Sequence, residues 1–457
     1  MKERVQKIVE RIRNWALLKR VRESFAVRFL GGVAAALQKN PFPAQVFFIL
    51  LFRLLLDVLY VTMLSPTYSY VRMTVNLIPV QYLCSWAVVA AFAPFVARLN
   101  EGQSASSIIV TLINYLYFIP MTTYCGCKGT DPAFLVVAVL YWALLLLWQF
   151  RVPKVALAPV PARHMNVVFS LLTVGSVLLV LYISGRYTGF RFTLNFIDVY
   201  DIRFESMAYN IPRLLNYALT SMTVVLSVLL LYWMQKKRWV IFAGLVFIFL
   251  LYYSIGAHKA VFFFLFLVLA CRLLYRPWML RWAPGLLSLA VLAAMLEKKI
   301  IGTFYLMFLG IYRMMLLPVQ LAEESMAYFQ DNPLNLFRDG IMGKLSFDSI
   351  YSTGIQYVMG EQSCYPESFA NNGLLGDMFI NLPVLLGLLL MPLVLVLCFR
   401  LLDLVSRRTA PKVLVAFCVY FANSFINVSW STVLLTNGYL LACVLLYFFP
   451  KEEGLPS

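Results

Sequence analysis

The sequence predicts an all-α polytopic membrane protein of about twelve transmembrane helices, with a long helical loop on the outer face before the last three spans. Three observations predict it. Hydrophobic residues make up 62% of the 457-residue chain and charged residues 13%, with a mean hydropathy of +0.80, a balance suited to lipid rather than water as the main solvent. Apolar runs of about 20 residues, the length that crosses a bilayer as a helix, recur along nearly the whole chain. Lys and Arg gather in alternate turns between those runs. One integral domain over 41–457 is expected, without a sizeable soluble domain or an internal repeat.

Residues 1–40 read as a basic amphipathic segment. Lys2, Arg4, Lys7, Arg11, Arg13, Lys19, Arg20 and Arg22 precede any long apolar stretch, so a signal peptide is not expected. Val5, Ile8, Val9, Ile12, Trp15 and Ala16 recur at helical spacing, which suits a helix lying on an anionic cytoplasmic leaflet. Spans follow near 44–64, 78–98, 105–125, 132–150, 165–185, 213–234, 239–255, 259–276, 280–296, 374–400, 413–428 and 431–449. In the first, Arg53 and Asp57 stand i,i+4 and are expected to neutralise each other.

With the amino terminus inside, the inner turns collect Arg151, Lys154 and Arg163, then Lys236, Lys237 and Arg238, then Arg272, Arg276 and Arg281, then Arg400, Arg407, Arg408 and Lys412. Every inner turn is basic, as the positive-inside rule requires. The net charge of +17 therefore reads as topology, and nucleic acid is not an expected partner.

Residues 300–322 carry one charge, Arg313, and would pass as a thirteenth span. A crossing there would turn Arg407, Arg408 and Lys412 outward. The parity of the basic turns instead predicts that 300–330 starts and ends on the outer side, as a helix in or dipping into the membrane surface, bent at Pro318. The outer loops 186–212 and 297–373 are long and rich in aromatic and aliphatic residues, unlike disordered segments, which points to the outer face as the working surface.

Several chemistries find no sequence support. His164 and His258 are the only histidines and fall on opposite sides of the membrane, which argues against a zinc site built on paired histidines. Asp-x-Asp, a Walker loop, a dinucleotide fingerprint and a nucleophile elbow are all missing. Cys125, Cys127 and Cys364 lie on outer segments, where an oxidising compartment would permit a disulfide. Cys84, Cys271, Cys398, Cys418 and Cys443 are expected as small buried thiols.

The outer face does carry charge. The first loop has Arg186, Arg191 and Arg203 beside Asp198, Asp201 and Glu205; SIGAHK adds His258 and Lys259; the long loop adds Arg313, Arg338, Glu323, Glu324, Glu367 and Asp377. An arginine in an apolar helix at membrane depth costs about 2.5–3.5 kcal/mol on insertion scales, so Arg313 calls for a partner or an anionic ligand. On a regular helix Arg313, Gln320, Glu324 and Asp331 share one stripe, cationic at one end and acidic at the other. That polarity suits a sugar-linked lipid diphosphate, since arginine grips phosphate oxygens bidentately and carboxylates can accept hydroxyl protons.

Tyr200-Asp201-Ile202-Arg203, Gly256-Ala257-His258-Lys259, Tyr312-Arg313 with Pro318 and Tyr328-Phe329, and NNGLLGDMFIN over 371–381 occur in that order. Together with the twelve-span layout they resemble bacterial oligosaccharide repeat-unit polymerases, the Wzy-type enzymes of O-antigen and capsule assembly. The resemblance implies a lipid-donor glycosyltransferase of the GT-C kind in the bacterial inner membrane, without metal or other cofactor. It would transfer a glycan from undecaprenyl diphosphate to the hydroxyl of a new lipid-linked repeat unit at the periplasmic face. Its expected partners are that undecaprenyl-diphosphate-linked oligosaccharide, membrane lipids and a polysaccharide chain-length regulator. Under this resemblance Arg313 and Arg203 are expected as diphosphate clamps, with Arg338, Lys259 and His258 as second candidates. The base is expected among Asp377, Glu367, Glu324 and His258. Tyr200 and Tyr312 could stack on sugars, and Asn371 and Asn372 could bind hydroxyls. Asp377 equally suits capping of a helix start.

Overall fold

The structure, a computed structural model, describes residues 41–158, 165–193, 199–340, 343, 348–363, 369–370, 372–407 and 409–450. The basic segment 1–40, Cys364, Glu367 and Asn371 lie outside the described residues. So do the side chains of Tyr200 and Arg203, whose backbone belongs to a helix.

Among the described residues the regular structure is helical throughout. In chain order the helices are α1 Pro41–Val71, α2 Pro79–Leu99, α3 Ala105–Lys128, α4 Pro132–Arg151 and α5 Met165–Thr188. Then come α6 Val199–Met207, α7 Arg213–Gln235, α8 Trp239–Gly256, α9 Lys259–Leu274, α10 Ala283–Leu296 and α11 Leu317–Asp331. Last are α12 Ile355–Gln362, α13 Leu375–Asn381, α14 Val384–Val405, α15 Pro411–Asn427 and α16 Trp430–Phe448, the last interrupted at Gly438. Nine of them, α1 to α5, α7, α8, α14 and α16, are long and apolar enough to cross a membrane. The chain is a multi-pass helical membrane protein. The expected span 374–400 is two helices, because Pro383 cannot continue the hydrogen-bond ladder after α13.

Polar side chains fasten the helices at two ends of the bundle. At one end, named here for Asp403, both oxygens of that residue accept from Ser106, whose amide is 2.9 Å away, and the carboxylate pairs with Arg400 at 2.9 Å. Arg400 also donates to the carbonyls of Gln149, at 2.6 Å, and Val152, at 2.9 Å. The sequence reading counted Arg400 in a basic inner turn; it is buried there, with Asp403 one turn later as its counter-charge. Deeper in the bundle, Arg53 and Asp57 form the expected i,i+4 pair. Arg53 donates to Thr122 and Ser85, and Asp57 accepts from Tyr82 and Trp86, so the pair ties α1 to α2 and α3.

At the opposite end, named for Lys128, Asn76 donates to the carbonyl of Cys127 at 2.9 Å and Gln81 to that of Thr130 at 2.9 Å. Helix α10 runs parallel to α1: Trp282 meets Phe48 near their starts, and Lys298 donates to Thr67 near their ends. The following chain stays at the Lys128 end. Tyr312 stacks on Tyr68 with ring centroids 4.5 Å apart, Gln320 donates to the carbonyl of Val71 at 2.8 Å, and Glu323 accepts from Tyr124 at 2.6 Å.

Residues Met307–Leu316 are π-helical and only Leu317–Asp331 are α-helical. The wider i→i+5 turns precede Pro318, which has no N–H to give. They also break the expected stripe: Arg313 is exposed while Gln320 is buried, because the 3.6-residue period does not hold across 307–316. Cys125 and Cys127 are buried free thiols, and Cys84, expected inside, is exposed on α2.

Candidate functional site

A charged cavity of about 210 Å³ opens at the Lys128 end between α3, the start of α4 and α11. Three turns build it. Helix α3 stops because Gly129 takes φ +66°, where an added Cβ would stand 2.6 Å from the carbonyl oxygen of Asn76, so only glycine fits and Lys128 falls in the last turn. Arg72 takes the left-handed conformation at φ +64°, turning the chain out of α1 and bringing its guanidinium 3.9 Å from Glu324. Asp131 caps α4 by accepting from the amide of Ala133 at 2.8 Å.

The two adjacent glutamates of α11 behave differently. Glu323 is engaged by Lys128 and by the hydroxyl of Tyr124, a closed arrangement of three polar groups. Glu324 is nine-tenths buried; its Oε1 accepts from Gln320 at 2.9 Å, while its enclosed Oε2 meets no hydrogen-bond donor among the described residues. The neighbouring Ser363 hydroxyl is directed to the carbonyl of Met359 at 2.6 Å. Burial pushes the Glu324 carboxyl above its ordinary range, opposed by Ser363 and Gln320 and by the charges of Lys128 and Arg72. A carboxylate with a spare lone pair that lines a cavity together with two cations can take a proton from a hydroxyl next to an anionic group.

Asp377 occupies a different environment. It is fully buried, its Oδ2 accepts from the amide of Trp430 at 2.9 Å, and its Oδ1 accepts from the Asn381 side chain at 2.8 Å. Asn381 in turn accepts from the amide of Phe337 at 2.7 Å. Gly373 lies against the carbonyls of Phe425 and Ile426, 2.3 Å from where a Cβ would stand, and Asn372 donates from its backbone to Asn427. Residues 372–381 are thus a clamp joining the loop at 335–337 to the start of α16, and Asp377 caps α16 rather than its own helix. Burial raises the Asp377 pKa to about 7 against the donors Trp430, Ser429 and Asn381.

The remaining candidates are dispersed. Arg313 is exposed on the outside of the bundle with its guanidinium carbon 5.8 Å from the Phe308 ring, and Tyr312 is buried against Tyr68. Arg338 is half-buried in the turn after Asn335. His258 and Lys259 form the turn between α8 and α9, His258 exposed and Lys259 half-buried, and α6, which carries Tyr200 and Arg203, packs on α8. The structure therefore joins Glu324 to Arg72 and Lys128, two residues that the sequence reading passed over because they sit in short turns. A cation ending each of the first two spans that rise to the acid-rich side was the available signal.

Among the described residues no group of three or more His, Cys, Asp or Glu side chains is arranged to hold a metal ion. No family model, curated protein or solved structure matches the chain.

Proposed function

We propose that this protein is a lipid-donor glycosyltransferase that polymerises undecaprenyl-diphosphate-linked oligosaccharide repeat units, of the O-antigen or capsule type, with Glu324 as the base. The observation that carries this reading is the Glu324 carboxylate, one enclosed oxygen without a hydrogen bond and the other 3.9 Å from Arg72, on a residue that lines one cavity with Arg72 and Lys128. Glu324 takes the proton of the acceptor hydroxyl as that oxygen bonds to the anomeric carbon. The bond from that carbon to the diphosphate breaks, its electron pair leaves with the diphosphate, and Arg72 and Lys128 stabilise the charge that develops. Arg313, exposed beside Phe308, meets the diphosphate as it arrives from the lipid.

In this reading twelve helices cross: the nine long ones, the shorter α9 and α15, and α10 with its π-helical extension to Ile301. An even number returns both termini to one side, and the turns rich in Lys and Arg then share the Asp403 end, which is the cytoplasmic one. The Lys128 end faces the periplasm of a bacterial inner membrane. A chain-length regulator would act from that side. A ligase shares this chemistry and differs in its acceptor. A transporter of the same lipid-linked sugar is the reading from another class, favoured by the interruption of α16 at Gly438.

Purified protein given a lipid-linked repeat unit tests the choice. Polymer with release of undecaprenyl diphosphate, reduced about 10²–10⁴-fold by Glu324→Gln, is the expected outcome. Movement of the intact lipid across a vesicle bilayer without any polymer would replace the enzyme by a transporter.

A further inference from the structure

At the opposite end of the bundle an apolar groove of about 470 Å³ separates α2 from α4. Phe92 and Phe95 line one wall, Ala143, Leu147 and Phe150 the other, and Arg98 is the one charged side chain on its lining. The helices part here for local reasons. Pro94 inside α2 has no N–H for the ladder, and Ala143 is a small residue among larger ones of α4. Behind the lining, Phe92 lies 4.5 Å from Trp142, which stacks 5.3 Å from Phe118.

Arg98 lies in the last turn of α2 and Phe150 in the last turn of α4, so the mouth is at headgroup depth. From Arg98 inward to Phe92 is six residues, about 9 Å of helical rise, within one leaflet of a hydrocarbon core about 30 Å thick. Among the described residues the exposed Arg98 guanidinium has neither an ion-pair nor a hydrogen-bond partner. A cation without a partner at the mouth of an apolar trough that runs into the leaflet has the polarity of an acidic phospholipid, with the phosphate at the arginine and an acyl chain along the aromatic wall.

We propose that the α2–α4 groove is a binding site for a glycerophospholipid with a net negative headgroup. Its occupant holds α2 and α4 together at the Asp403 end, beside the Arg400 contacts to Gln149 and Val152.

Native mass spectrometry of the full chain in detergent, titrated with phosphatidylglycerol, phosphatidylcholine or a long polyprenyl phosphate, tests this. The wild type is expected to retain one phosphatidylglycerol at least about tenfold more tightly than phosphatidylcholine, and Arg98→Ala to lose that preference. Ala143→Phe, which fills the groove and keeps the charge, is expected to weaken retention to a similar degree, with thermal melts showing both variants folded. Equal retention by Arg98→Ala and wild type, equal binding of phosphatidylcholine, or tighter binding of the polyprenyl phosphate would each overturn the assignment.

Discussion

Asp403 and Glu324 are both buried carboxylates near an arginine, at opposite ends of one bundle, and they differ in how completely their oxygens are used. Asp403 receives the Ser106 amide and hydroxyl and the Arg400 guanidinium on its two oxygens. Glu324 has Gln320 and a distant Arg72 on one oxygen and no hydrogen bond to the other, the neighbouring Ser363 hydroxyl being turned to Met359. A buried charge whose lone pairs are filled by the fold belongs to the fold. One left without a hydrogen bond, on a residue that lines a cavity, costs stability to keep and has a lone pair to offer once a ligand or a small movement reaches it.

The largest effect expected from this contrast is structural. Arg400→Ala leaves Asp403 buried without its counter-charge and should cost about 3–5 kcal/mol, read as a collapse of the thermal melt and of the folded yield. Removing the open carboxylate should do the reverse. Glu324→Gln loses polymer formation while its melt stays at or above that of the wild type. The sign follows from the raised pKa: a carboxyl elevated by burial lends full stability below its unfolded pKa, and that stability is lost as pH rises through the folded value. Activity runs the other way, since a base must be ionised, so its acid limb should lie above the ordinary glutamate range and vanish in Glu324→Gln.

Asp377 stands between the two cases, fully satisfied yet beside the working end. Asp377→Ala strands the Trp430 amide and the Asn381 side chain, at about 1–3 kcal/mol for each unpaired group. Because its pKa is raised from 3.8 to about 7, its contribution is full at low pH and lost as pH rises through about 7. Unfolding melts from pH 5 to pH 8 should show that decline in the wild type and a flatter line in Asp377→Asn. The smallest expected effect is that of Glu205→Gln. It removes an exposed pair with Arg191 and should shift stability by less than about 1 kcal/mol, with polymer formation unchanged.

The apolar runs reveal the helices directly, because lipid demands about 20 uninterrupted residues and leaves few other patterns. The Arg53–Asp57 pair is equally legible, since i,i+4 spacing alone brings the two together. Arg400 and Asp403 offer the same signal at i,i+3, but the weight of positive charge around them makes the pair read as part of a basic turn. Convergence across the bundle is harder to read. Nothing local in VRMTVN or CGCKGTDP says that Arg72 and Lys128 will face α11, because that depends on two left-handed turns and on helix packing. The phase of Arg313 was also out of reach, since the π-helical run before Pro318 replaces the period on which a stripe is drawn.

The most direct test is polymer formation by folded Glu324→Gln protein supplied with a lipid-linked repeat unit under conditions where the wild type elongates. Polymer formation reduced about 10²–10⁴-fold, with the wild-type melt retained and the acid limb gone from the residual activity, is the result that Glu324 as the base requires. Long chains made at the wild-type rate by that variant would contradict it, and the open carboxylate would then be a feature of the fold alone.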